Sequence, residues 1–277
     1  MIPFNYHCHA NFSDGKSTAE EMVLAAIESG SDSLGISEHY VSQKAASYSL
    51  KPENEETYKG EILRLREKYK DKINLFLGTE ADYTSPVPKG YDYIIGSLHF
   101  FELDGEFVDV DHTAEKQIDA ANRYFGGDMI ALAENYYETL AKLPQKFKFD
   151  IVGHFDLVTK FNEGGRLFDE SDKRYIKAAE NALCKLVPTG AVFEMNTGAI
   201  SRGYRKTPYP APFLLKEIKE RGGKIILSSD SHRATDLTCA FDDCLEILRA
   251  CGIGSVVAFK GGKLEEFGIS ARSVSSI

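Results

Sequence analysis

Positive charge is in short supply in this chain: 33 lysines and arginines stand against 42 aspartates and glutamates, a formal net charge of −9 over 277 residues. A surface of that balance repels a phosphate polymer, which argues against nucleic acid as a partner. Paired cysteine is missing as well. Cys8, Cys184, Cys239, Cys244 and Cys251 make an odd count without a C-x-x-C spacing, against both a disulfide framework and a zinc ribbon. No apolar run is long enough to span a bilayer, so no membrane contact is expected. The opening Met1-Ile2-Pro3-Phe4 lacks a basic segment followed by an apolar one, so no secretory leader is expected and the cytoplasm is the default compartment. Linkers and low-complexity tracts are absent, which predicts a single domain over 1–277. Nothing in the sequence favours one oligomeric state over another.

What is present is an ordinary globule, 43% apolar and 27% charged, large enough to bury a core without covalent staples. Short apolar runs alternate with helical patterns. Strands are predicted at 4–9, 34–37, 73–80, 93–99, 149–154, 191–196 and 224–232, several of them apolar enough to be buried on both faces. Helices are predicted at 17–30, 53–69, 113–143 with a break at Gly126-Gly127, 171–187, 211–221 and 242–251. At the first helix both Ser17 with Glu20 and Thr18 with Glu21 fit a capping box. Residues 41–52 read as a loop over one end of the fold, 104–111 as an acidic loop, and 256–259 as a weaker apolar stretch. Strand–helix repetition of this kind predicts an α/β fold with a parallel sheet, a (β/α)7 barrel whose seven strands close imperfectly.

In such barrels chemistry sits at the carboxyl ends of the strands. Six of the seven histidines, His7, His9, His39, His99, His154 and His232, fall at those ends. A lone histidine is more often a hydrogen-bonded structural residue, but that reading serves poorly for six at once. His7 and His9 share one strand face, as do Asp230 and His232, because side chains alternate along a strand. Cys8, between the first pair, faces away and reads as a small buried apolar residue. Glu80 ends another apolar run. Asp14 follows the first strand, although Asp-Gly is also ordinary turn chemistry. His112, after the acidic loop, reads as solvated surface. Imidazoles mixed with carboxylates suit Zn, Fe or Mn over Ca or Mg. Nine donors exceed one ion, and at about four ligands each they imply two or three divalent transition-metal ions. Paired ions can clamp the attacking and leaving oxygens of a phosphoryl displacement, which makes a phosphoester the leading substrate. Arg202, Arg205, Arg233 and Arg166, all on predicted βα loops, are candidate forks for the phosphoryl oxygens, and Asn196 could orient water or substrate. Exposed loop cations often do nothing, so two arginines on one loop raise the odds that one binds phosphate. With every strand-end histidine read as a ligand, protonation of the leaving alkoxide has no evident donor.

The ordered segments HCHANFSDG, ISEHY, GTEADY, GSLHF, VGHFDL, FEMNTGA and SSDSH resemble the polymerase and histidinol phosphatase (PHP) family, and within it the monofunctional histidinol-phosphate phosphatases. The resemblance implies a trinuclear site: His7, His9, Glu80 and Asp230 on one ion, His99 and His154 on a second bridged by Glu80, and His39, His232 and Asp14 on a third. Some members carry a histidine in place of Asp14, and many an aspartate in place of Glu38. It further implies hydrolysis of L-histidinol phosphate in histidine biosynthesis, by a metal-bridging hydroxide, with Glu80, His99, Asp230 and His232 as the catalytic set. The acidic balance suits such a small phosphorylated amino-alcohol. The alternatives are another PHP phosphoesterase, a nucleotidase, exonuclease or phosphotyrosine phosphatase, and a non-catalytic metal-dependent binding module. An exonuclease would need a basic track with stacking aromatics, and the basic cluster formed by Lys160 and the loop 202–206 is small.

Overall fold

Buried apolar runs become short parallel strands in the computed structural model, which describes residues 2–42, 47–260 and 263–269. The chain runs β1 (Phe4–Asn5), α1 (Ala19–Glu28), β2 (Ser33–Ile36), α2 (Glu55–Tyr69), β3 (Asn74–Asp82) and β4 (Tyr93–Ser97). A hairpin, β5 (Phe100–Leu103) and β6 (Glu106–Asp109), precedes α3 (Ala114–Phe125) and α4 (Met129–Leu140). Then come β7 (Ile151–Val152), α5 (Lys173–Leu186), β8 (Val192–Asn196), α6 (Gly198–Ser201), α7 (Pro212–Glu220), β9 (Ile225–Ser228) and α8 (Phe241–Ala250). A second hairpin, β10 (Ser255–Lys260) and β11 (Lys263–Gly268), ends the fold.

The barrel sheet has the order β1-β2-β3-β4-β7-β8-β9, every neighbour parallel. Its two outer strands do not form a full ladder. Instead a single parallel bridge joins Cys8 to Ser231, and the His9 N–H donates to the Ser231 carbonyl at 2.8 Å. The incomplete closure foreseen from the sequence therefore falls at one seam, and that seam carries His7, His9, Asp230 and His232.

Local chemistry explains the edges. Of the two possible capping boxes, Thr18 with Glu21 forms. Ser17 instead accepts from the Ala234 N–H, and Glu20 accepts from Lys68 and Tyr69 on α2. Gly126 and Gly127, at φ 61° and 88°, separate α3 from α4. The acidic loop expected at 104–111 is in part a hairpin: Asp104 and Gly105 both adopt positive φ, the two-residue turn that Asp-Gly favours. Of the loop expected at 41–52, residues 43–46 lie outside the described residues, and Leu50 donates back to the His39 carbonyl at 2.8 Å. The weak apolar stretch at 256–259 is not a barrel strand. It belongs to the antiparallel β10–β11 hairpin, and Phe259 packs on Tyr6, Phe76 and Tyr93 near the amino ends of the strands.

The barrel interior beneath the site is filled by Tyr93, whose hydroxyl donates to the Tyr6 carbonyl at 2.6 Å. Its ring occupies space that other residues would claim with a Cβ: one built on Gly35 would lie 2.2 Å from the Tyr93 hydroxyl, and one on Gly78 2.2 Å from Cζ. Among the described residues no helix is long and apolar enough to cross a membrane. Gly78→Ala should destabilise the protein by about 3 kcal/mol through overpacking of a rigid ring, read as a lowered urea midpoint at unchanged m-value.

Candidate metal centre

The strands end early, and the functional side chains stand just beyond them. His7 and His9 follow β1, His99 follows β4, His154 follows β7, and Asp230 with His232 follows β9, while Glu80 lies within β3. Cys8 points the other way, its thiol 3.3 Å from the Gly35 carbonyl. Asp230 adopts φ 48°, a left-handed conformation that aspartate tolerates better than most residues. Asp14 is held by a turn that only glycine can follow closely, since a Cβ on Gly15 would lie 2.2 Å from the His9 carbonyl oxygen. Buried Glu38 braces the same turn, accepting from Ala10 N–H at 2.8 Å, Ser13 N–H at 3.0 Å and the Ser13 hydroxyl. Burial, opposed by those bonds, pushes the Glu38 carboxyl up to about 8.

Five of the predicted imidazole donors surround Glu80, and Asp230, Asp14 and His232 adjoin them. Its Oε2 lies 2.7 Å from His39 Nδ1, 3.4 Å from His7 Nε2 and 3.7 Å from His9 Nε2, and its Oε1 lies 2.9 Å from His154 Nε2 and 3.5 Å from His99 Nε2. Asp230 Oδ1 is 3.3 Å from His9 Nε2 and 3.7 Å from His7 Nε2. Asp14 faces His232 Nε2 at 3.2 Å and His39 Nε2 at 3.7 Å. Three donor groups have one ligand atom from each member within 4.8 Å of the others: His7, His9 and Asp230; His39, Glu80 and His99; and His9, Asp14, His39 and His232. His9 and His39 thus stand where two groups meet.

Whether these donors fit metal ions can be judged from what they leave unsatisfied. Buried and without a hydrogen-bond partner are His7 Nε2, both ring nitrogens of His9 and Asp14 Oδ1, while Glu80 Oε2 meets only imidazoles. Buried polar atoms are normally paired, and a group of them aimed at one space fits a cation. Without ions the cluster neutralises itself by proton uptake. Burial would raise the Glu80 carboxyl, but His7, His39 and His99 outweigh it and hold it well below the carboxylate range. Asp230 is likewise held well down against burial, by Arg202 and His7. Burial opposes charge on His99, yet Glu80 and Asp82 lift it to about 9, and His7 and His39 are raised by their carboxylate neighbours in the same way. His9 moves the other way, to about 3, through burial and the neighbouring His39 and His232.

Several residues that hold this cluster were not singled out from the sequence. Glu194, on β8, accepts from the His154 N–H at 2.9 Å and lies 2.6 Å from His7 Nδ1, which leaves His7 Nε2 to face the cluster. A charged residue inside a fully buried strand was the signal for it. Asp82 accepts from the His99 N–H at 2.6 Å, and the Ser97 hydroxyl donates to Glu80 Oε1 at 2.7 Å. Asn196 is fully buried and donates to Glu194 at 2.8 Å, so it supports Glu194 and does not reach the cavity expected of it.

The cluster floors a cavity of about 580 Å³ that is also lined by Arg202, Arg233, Lys160, Tyr48, Asp109 and Asp111. Two of the four proposed arginines are therefore at the mouth. Arg202 donates to the Asp230 carbonyl at 2.7 Å and to its Oδ2 at 2.9 Å, bracing a donor as well as facing the cavity. A Cβ on Gly198 would sit 2.6 Å from Asp230 Oδ2 and 2.7 Å from Arg202 Nη2, which explains the glycine at the start of α6. Arg166 does not line the cavity: it is exposed, 4.0 Å from Glu115. Arg205 is buried among other partners. Exposed His112 does line the rim, contrary to the expectation that no histidine beyond the strand-end set stands there. Lys160 pairs with Asp111 at 2.6 Å and lies 4.5 Å from the Tyr204 ring.

A parallel barrel with clustered imidazoles and carboxylates at its carboxyl end defines a metal-dependent hydrolase scaffold. The PHP domain profile matches residues 5–198, and the chain belongs to that family. It is 27% identical over 285 residues to a Schizosaccharomyces pombe protein named "Probable histidinol-phosphatase", across 94% of this chain and 90% of that protein. A Deinococcus radiodurans protein of the same name is 29% identical over 262 residues, covering 90% and 92%. The crystal structure of histidinol phosphate phosphatase from Lactococcus lactis, complexed with zinc, L-histidinol and phosphate, superposes with a TM-score of 0.69 at 23% identity, covering 95% of this chain and 98% of that one. That likeness shows the shared fold.

Two outcomes follow from the electrostatics. Zinc added to the metal-free protein at pH 7.5 should release at least about one proton per chain, because raised histidines must deprotonate to bind; calorimetry in buffers of different ionisation enthalpy reads the number. For His99 the folded value of about 9 exceeds the ordinary 6.5, so its pairing stabilises fully below 6.5 and is lost as pH rises through 9. Glu38, raised from 4.5 to about 8, costs stability as pH rises from 4.5 to 8, which overlaps the lower part of that range. The metal-free protein should therefore lose stability between pH 6.5 and 9, measured as a falling urea midpoint.

Proposed function

We propose that this chain is a metal-dependent phosphomonoesterase that hydrolyses L-histidinol phosphate to L-histidinol and phosphate. The observation that carries the reading is the set of unpartnered buried donors around Glu80, opening on a cavity with cations on its wall. Curated relatives matched over nine-tenths of the chain and named as histidinol-phosphatases support the substrate.

In this reading His7, His9 and Asp230 would hold one ion, His99 and His154 a second, and His39, His232 and Asp14 a third, with Glu80 standing among them. Bound ions supply an activated water and neutralise phosphoryl charge. Glu194, Asp82 and Ser97 keep the donors in their orientation, and Arg202 holds Asp230 in its left-handed conformation. Lys160, Arg202 and Arg233 attract the phosphate dianion to the mouth, Lys160 as a point charge and the arginines as forks. Asp109 and Asp111 on the same wall suit the cationic amino-alcohol portion of the substrate. Tyr48, edge-on to His39 at 5.0 Å, narrows the entrance beside the third group.

Phosphate release from L-histidinol phosphate and a panel of other monoesters tests the function. Turnover should prefer histidinol phosphate and stop with chelator; equal turnover of every ester would sink the substrate assignment. His99→Ala should keep the fold but lower kcat/KM by roughly 10³-fold, the several kcal/mol that ion-assisted charge neutralisation supplies. Glu194→Gln should weaken metal retention by about 10–100-fold, read by chelator competition.

A further inference from the structure

Arg205 has the sequence position of a phosphate fork and the surroundings of a tether. It is 7% exposed, and its Nη1 donates to the Thr159 carbonyl at 3.1 Å and to the Thr159 hydroxyl. Nη2 donates to the Thr207 hydroxyl at 3.1 Å, and the guanidinium lies 5.2 Å from the Tyr209 ring centroid. Fully buried Asp156 acts on the guanidinium through its charge, and its Oδ2 accepts from the Ala211 N–H at 2.9 Å. Thr159 in turn donates to the Asp156 carbonyl at 2.8 Å. These bonds join the loop after β7 to the loop after β8.

Each end of that tether is next in sequence to a residue at the cavity. Lys160 follows Thr159, and its Nζ reaches the Asp111 carboxylate at 2.6 Å and the Asp111 carbonyl at 2.8 Å. Tyr204 precedes Arg205, and its ring receives the Lys160 ammonium at 4.5 Å. The Lys160 ammonium, on the loop after β7, is thus fixed by Asp111 between β6 and α3 and by Tyr204 on the loop after β8, although a lysine side chain on its own has four carbons of freedom.

We propose that Arg205 is a positioning residue that ties these two loops so that Lys160 and Tyr204 present one preorganised cationic site to the substrate phosphate. The inference rests on the phosphomonoesterase reading, and Arg205 acts through Lys160 without touching substrate. A side chain that holds a binding group in place changes ground-state affinity more than the chemical step.

The test uses the metal-loaded full chain, with KM and kcat for histidinol phosphate and calorimetric binding of inorganic phosphate as readouts. Arg205→Met should raise KM and the phosphate Kd about tenfold, with kcat within about twofold. Arg205→Lys should recover part of the loss. Because Arg205→Met also removes a cation that acts on buried Asp156, Thr159→Val provides a variant that keeps both charges, and it should raise KM roughly threefold. Combining Arg205→Met with Lys160→Met should be no worse than Lys160→Met alone. Additive losses would mean that Arg205 meets the phosphate itself and overturn the tether, as would an unchanged KM in Thr159→Val. If the wild type turns over no monoester, the function fails, and the same comparison of phosphate Kd values still decides the tether.

Discussion

Glu80 is a carboxylate almost without access to water, faced by the imidazoles of His7, His39, His99 and His154. A lone charge in that position would cost several kcal/mol, and positive charge must surround it. His7, His39 and His99, raised by their carboxylate neighbours, provide it in the metal-free state, and divalent ions would provide it more completely. Much of the surrounding architecture follows from this one group. Strand β3 is the longest of the barrel strands and carries Glu80 to the centre of the mouth, while β1 and β7, two residues each, end early enough for histidines to bend in toward it.

The support around that carboxylate is built from backbone as much as from side chains. Glu194 and Asp82 each accept from the backbone N–H of a histidine and lie close to a histidine ring, so strand geometry and ring orientation are set together. Tyr93 fills the barrel beneath, and two glycines make room for it. Gly15 and Gly198 permit close approach at the two loops that carry Asp14 and Arg202. Lys160, Arg202 and Arg233 stand at this mouth among aspartates, so the cavity wall sets cations beside carboxylates.

The donor set was legible because it depends on two local rules: histidines at the ends of apolar runs, and alternation that puts His7 with His9 and Asp230 with His232 on one face. The glycine break at 126–127 and a capping box at the start of α1 were legible as local patterns too, although the choice of Thr18 over Ser17 was not. The β5–β6 hairpin was not, since its acidic turn masked a short alternating pattern. Glu194, a charge inside an apolar run, carried a signal, but its partner His7 lies far away in sequence. Arg205 and Asn196 were misplaced because an end-of-strand position states which loop a residue occupies, not which way its side chain turns.

The sequence by itself determined the barrel class, the imperfect closure and the identity of the candidate donors, because periodicity and composition are properties of neighbours along the chain. Tertiary structure alone decided that closure rests on the Cys8–Ser231 bridge, that His9 and His39 stand between two donor groups, and that Arg205 faces Thr159 while Arg202 faces Asp230. The Arg202 and Arg205 contacts join residues tens of positions apart, and whether an arginine is satisfied internally or left facing the cavity depends on what the next loop offers it.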